Sequence, residues 1–65
     1  MYRITISRRQ GKDTCYNASD KIGIHGNFIE IPLGKETRYI ALSGVEEITQ
    51  TEIEDVEGEI GEIIL

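Results

Sequence analysis

The chain predicts a small, mainly β domain of five or six antiparallel strands with an acidic C-terminal segment. Three observations predict it. Apolar and polar residues alternate from Tyr2 to Arg9 and again through Lys21 to Leu42, which is the period of strands with one buried face. Glycines at 11, 26 and 34 punctuate those runs, where hairpins turn. The charge is divided along the chain. Residues 1–45 hold seven bases against four acids, net +3, while residues 46–65 hold eight acids and no base, net −8.

The first strand is Tyr2 to Arg9, with Tyr2, Ile4 and Ile6 on one side and Arg3, Thr5 and Ser7 on the other. Gln10 to Asp13 turns the chain into a weaker strand, Thr14 to Ala18, whose core contact is Tyr16. Ser19-Asp20 then leads into three central strands. Gly26-Asn27 is a two-residue turn with Gly first. It sets His25 opposite Phe28, Ile24 opposite Ile29 and Ile22 opposite Ile31. Gly34 to Thr37 reads as a four-residue loop, setting Leu33 opposite Arg38, Ile31 opposite Ile40 and Ile29 opposite Leu42. One face then collects Ile22, Ile24, Ile29, Ile31, Leu33, Ile40 and Leu42. A one-residue slip in either hairpin would turn an aliphatic set to the other side. Pro32 has no N–H for a ladder, so it belongs where one neighbouring strand has run out.

Ser43 and Glu46 have the spacing of a capping box. A single helical turn over Gly44–Glu47 would corner the chain into a sixth strand, Val45 to Thr51. The strands would close partly, as in an SH3-like barrel. Residues 1–51 are thus the β domain and 52–65 the acidic segment. Two regular structures compete for that segment, against a mostly extended or disordered tail. Ile53, Val56, Ile60 and Ile63 share one helical face, with Thr51 and Glu54 as cap. Against the helix, Gly58 and Gly61 each cost about 1 kcal/mol in a helix interior. The other structure is a turn near Glu57-Gly58 followed by an edge strand, Glu59 to Leu65.

Sixty-five residues make one domain, and so small a core supplies only about 3–5 kcal/mol. The lone Cys15 forms no internal disulfide, and Cys15 with His25 is too few soft ligands for structural zinc. Further burial in a homo-oligomer is therefore expected. No apolar run approaches the roughly 20 residues of a membrane span, the N-terminus alternates unlike a signal peptide, and a lone thiol suits the reducing cytoplasm.

Nothing in the chain composes a catalytic site, and no enzyme is expected. His25 flanks a turn without an orienting partner, Cys15 lies on a strand as a small packed residue, and the glycines precede no helix that would cradle a phosphate. The acids Glu52, Glu54, Asp55, Glu57 and Glu59 lack the spacing of a calcium loop; neither metal nor cofactor is expected. The outer face of the central strands carries Lys21, His25, Phe28, Glu30, Pro32, Tyr39 and Ala41. Phe28 and Tyr39 make it apolar for a surface that meets water. Either the barrel curls or the C-terminal segment packs there, or the patch binds another chain.

The expected function is a small acidic protein that occupies a partner's basic surface. The partner-binding residues would be Glu52, Glu54, Asp55, Glu57 and Glu59 together with Phe28 and Tyr39. Size and charge suit a phage-encoded inhibitor of a host or defence protein. A second candidate is a nucleic-acid-binding barrel using Arg3, Arg9 and Arg38 with Tyr2, Tyr16 and Tyr39, which the negative net charge opposes. A third is a small-ligand sequestering protein with its pocket between subunits.

Overall fold

The computed structural model describes residues 1–55 and 58–64. The chain is mainly β, in two antiparallel sheets. Strands β1 (Tyr2–Arg8), β2 (Thr14–Ala18), β6 (Val45–Glu52) and β7 (Gly61–Ile63) form one, in the order β6-β1-β2-β7. Strands β3 (Gly23–His25), β4 (Phe28–Leu33) and β5 (Glu36–Ala41) form the other, in the order β3-β4-β5. The mainly β expectation holds, with the strands divided between these two sheets. The chain changes sheet between β2 and β3 and returns between β5 and β6.

The core lies between the sheets. Ile4, Ile6, Tyr16 and Ala18 come from the first and Ile29 and Ile31 from the second, all buried. Tyr2, Ile22, Leu33, Ile40, Leu42, Val45 and Ile48 pack around them. Alternation therefore selected the buried faces of β1 and β4, while β6 turns Val45 and Ile48 to the core three residues apart, across a register shift opposite Ser7 and Arg8. Ile24 is the exception. It sits on the core side, opposite Ile29, yet is 62% exposed, because β3 is an edge strand.

The first central hairpin has the expected register, with His25 opposite Phe28 and Ile24 opposite Ile29. The second differs. Its turn is Gly34-Lys35 alone, and the pairs are Leu33–Glu36, Ile31–Arg38 and Ile29–Ile40. Gly34 has φ 69° and Gly26 φ 60°, so each supplies the positive φ that a tight hairpin needs at its first turn position. The register moves by two residues, an even number, so the same side chains still face the core. Pro32 stands beyond the end of β3. Its carbonyl accepts the Ser19 N–H at 2.9 Å, so the missing N–H interrupts no ladder.

The expected helical turn over Gly44–Glu47 is also corrected. A tight turn closes with the Val45 N–H on the Leu42 carbonyl at 3.0 Å, and β6 starts at once. The backbone's two-residue reach across Ser43-Gly44 prevails over the capping spacing. In the C-terminal segment, Gly61–Ile63 is a strand paired with β2, with Cys15 opposite Ile63 and Asn17 opposite Gly61. The helical alternative fails here on its two glycines and its unrelieved carboxylates. Val56 of that helical face lies outside the described residues, as does Glu57.

Candidate functional site

The outer face of the three-stranded sheet is built by the alternation that fills the core. With Ile29 and Ile31 turned inward, Phe28 and Glu30 turn outward, and pairing brings Ala41 opposite Phe28 and Tyr39 opposite Glu30. Phe28 and Tyr39 become diagonal neighbours across β4 and β5, 49% and 60% exposed. The Tyr39 hydroxyl donates to Glu30 Oε1 at 3.3 Å. His25 Nε2 lies 3.6 Å from Glu30 Oε2, a salt bridge whenever the imidazole carries its second proton. His25 thus has an orienting partner, contrary to expectation. The signal was in the register: Gly23 faces Glu30, and a Cβ on Gly23 would meet His25 Nε2 at 3.0 Å. Glycine leaves the imidazole room to lie over the strand.

The C-terminal segment does not cover this face. It lies against the other sheet, over the outer side of β2. The Asn17 side chain, only 3% exposed, accepts from Arg3 Nε at 3.3 Å and donates to the Glu59 carbonyl at 3.0 Å. Both ends of a buried amide are satisfied, as burial demands. Cys15 is buried on the same side, beside its ladder partner Ile63, its sulfur 3.8 Å from Thr5 Oγ1. A shallow groove remains, lined by Arg3, Cys15, Asn17, Gly58 and Glu62 among others.

Gly58 is tied to this arrangement. A Cβ there would stand 2.6 Å from Asn17 Nδ2. Gly58→Ala is therefore expected to break the Asn17–Glu59 bond and loosen β7, at a cost of about 1–2 kcal/mol. The check is the labelling rate of Cys15 by a thiol reagent, which should rise in the variant. An unchanged rate would mean that β7 keeps its seat.

The acids of the segment divide between scaffold and surface. Glu62 accepts from Arg38 Nη1 at 3.0 Å, tying β7 to β5 across the two sheets. The Arg38 guanidinium lies 5.5 Å from the Tyr16 ring centroid. The Tyr16 hydroxyl first, and Glu62 after it, hold the arginine above its ordinary value. Both partners of the ion pair are well exposed, so it contributes no more than about 1 kcal/mol. Asp55 takes the N-terminal ammonium of Met1 at 3.2 Å, and the Ile53 N–H donates to the Met1 carbonyl at 2.9 Å. Glu52, Glu54 and Glu59 are exposed.

The β1–β6 ladder gives the sheet two ends of different charge. It pairs Tyr2 with Glu52 at one end and Arg8 with Val45 at the other. Arg8, Arg9 and Lys12 lie at the Val45 end among Glu46, Glu47 and Asp13, far from Glu52 and Asp55 at the other. Seven strand residues set them roughly 20 Å apart, well beyond a Debye length of about 8 Å. Arg8 donates to Thr14 Oγ1 at 3.4 Å, and Arg3 is engaged by Asn17. The structure thus brings Phe28 and Tyr39 together on one face and sets Glu52 and Asp55 at one end of the other sheet.

Among the described residues no cluster of three or more His, Cys, Asp or Glu side chains is placed to hold a metal ion. Among the same described residues no helix is long and apolar enough to cross a membrane. No family model matches the chain, and neither a curated protein nor a solved structure matches it.

Proposed function

We propose that the chain is a non-enzymatic binding protein that occupies a partner protein's surface. The Phe28–Tyr39 face would seat on an apolar patch and the acidic end on a basic one. The observation that carries this is the exposed aromatic pair, standing on a sheet whose opposite face is the core. Aromatic side chains fixed on a rigid strand pair are well suited to act as interface anchors, since little conformational freedom remains for them to lose on binding. Glu52, Glu54, Asp55 and Glu59 would supply the electrostatic half, standing in for a polyanion on a basic groove; Glu57 belongs to the same group by sequence. Occupancy alone would inhibit the partner.

The strand order is compatible with a partly open SH3-like barrel, in which β2 and β3 are halves of one bent strand. The chain would act as a homo-oligomer, as a core without disulfide or metal favours. The free thiol of Cys15 supports action in the cytoplasm. The nucleic-acid alternative draws on Tyr16 and Arg38, but Tyr16 is buried in the core and Arg38 is paired with Glu62. That leaves fewer groups to grip a strand.

A salt series tests the proposal. The protein should pass through a heparin or DNA column and capture a protein from lysate of its native host. Changing Glu52, Glu54 and Glu59 to Gln should leave the melting temperature nearly unchanged, slow association and flatten its salt dependence. If the triple variant associates as fast as the original at low salt, the acids are only a solvated end. Retention on the DNA column would favour the nucleic-acid alternative.

A further inference from the structure

Strand β3 presents backbone groups to an open edge, and the ladder says which. A two-residue turn makes His25 and Phe28 a hydrogen-bonded pair. Bonded and non-bonded pairs alternate along an antiparallel ladder. Ile24–Ile29 is therefore a non-bonded pair, and both the N–H and the C=O of Ile24 point away from β4. The nearest other N–H on that edge belongs to Ile22, and it is capped by Gln50 Oε1 of β6 at 2.8 Å. Among the described residues no corresponding hydrogen bond reaches Ile24. Its side chain is the core-side isoleucine left 62% exposed. Free ladder groups beside an uncovered aliphatic side chain make an edge that accepts a further strand.

We propose that this edge pairs with the β3 edge of a second copy, antiparallel, about a two-fold axis at Ile24. The fit is reciprocal. A residue that presents both donor and acceptor satisfies its own symmetry mate, with each Ile24 N–H donating to the other's carbonyl. The two side chains fall on the same side of the joined sheet and cover each other. On the opposite side Gly23 faces His25 of the mate, where the absent Cβ leaves space. Lys21 falls opposite Asn27, so no like charges meet.

Register favours a second copy over an unrelated strand, because a two-fold at Ile24 sets Gly23 against His25 and Lys21 against Asn27 without a clash of bulk or like charge. Glu30, across the ladder from Gly23, points to the other side of the sheet and is engaged by His25 and Tyr39. The contact is smaller than the roughly 1,000 Å² of a stable interface, so the dimer is weak. Each copy carries −5, so salt strengthens the pairing. A head-to-tail contact of the Arg8–Arg9 end on the acidic end would respond in the opposite direction. This inference rests on the homo-oligomer proposed above and adds its surface.

The test is sedimentation over a concentration series from about ten micromolar to about one millimolar, at low and high salt. The wild type should pass from monomer to dimer, at lower concentration in high salt, while the Ile24 amide exchanges more slowly as concentration rises. Ile24→Lys should stay monomeric throughout, with an unchanged circular dichroism spectrum because the position is exposed. Ile24→Thr, which keeps a strand-forming residue, should weaken the dimer about tenfold and covers the case in which the lysine variant misfolds. A wild type monomeric at every concentration overturns both the surface and the oligomer. A dimer that persists in both variants overturns the surface alone. If the wild type stays monomeric while a peptide of alternating lysine and valine slows Ile24 exchange, the edge takes a basic strand instead.

Discussion

Ile31→Ala is expected to lower stability by about 2–5 kcal/mol, the range for truncating a buried aliphatic side chain. Ile31 is fully buried among Ile4, Ile6, Tyr16, Ala18 and Ile29, at the centre of the contact between the sheets. Removing its outer carbons leaves a cavity that two hydrogen-bonded sheets cannot close by small shifts. A core this small supplies only about 3–5 kcal/mol in total, so the variant should be largely unfolded at room temperature. His25→Ala is the control. Its imidazole is exposed and meets Glu30 only at 3.6 Å, so the loss should stay within about 0.5 kcal/mol. Urea titrations of the two variants give the comparison. Similar losses at both positions would mean that β3 and β4 do not face the core as described.

The double change Phe28→Ser with Tyr39→Ser should act on binding instead. Both side chains are exposed and touch no core residue's place in the sheet, so stability should change by about 1 kcal/mol or less, the span of strand propensity. Binding should weaken by at least a hundredfold, since central aromatic anchors are worth about 2 kcal/mol or more each. Tyr39→Phe separates the two parts of the tyrosine. It loses only the hydroxyl bond to Glu30, so it should keep most of the affinity. Unchanged affinity in the double variant, measured on the captured partner, would move the contact off this sheet.

Much of this architecture was legible in the residues. Alternation placed Ile4, Ile6, Ile29 and Ile31 inward because a strand has only two sides, and a register error of two leaves the sides unchanged. The outward set followed by the same logic, so Phe28 and Tyr39 emerged as surface candidates before any coordinates. What sequence could not supply was distance between elements. Ile24 carries the core pattern but lies on an edge, and nothing local marks an edge. Asn17 and Gly58 stand far apart in sequence, and only the fold brings them together. The C-terminal segment was ambiguous because four apolar residues at helical spacing and two glycines point in opposite directions. Pairing with β2 decided it for Gly61–Ile63, an interaction over more than forty residues that no local window contains.

The carboxylates at the Glu52 end, against an Arg8 end where Glu46, Glu47 and Asp13 offset the bases, give the molecule an electric dipole aligned with its strands. Each unit of unbalanced charge, roughly 10 Å from the centre, contributes on the order of 50 debye. In the field of a basic surface such a body feels a torque as well as an attraction. It would rotate while still separated from such a surface and arrive with the Glu52 end leading. Orientation, ordinarily the slow and random part of an encounter between two proteins, is thereby settled in flight.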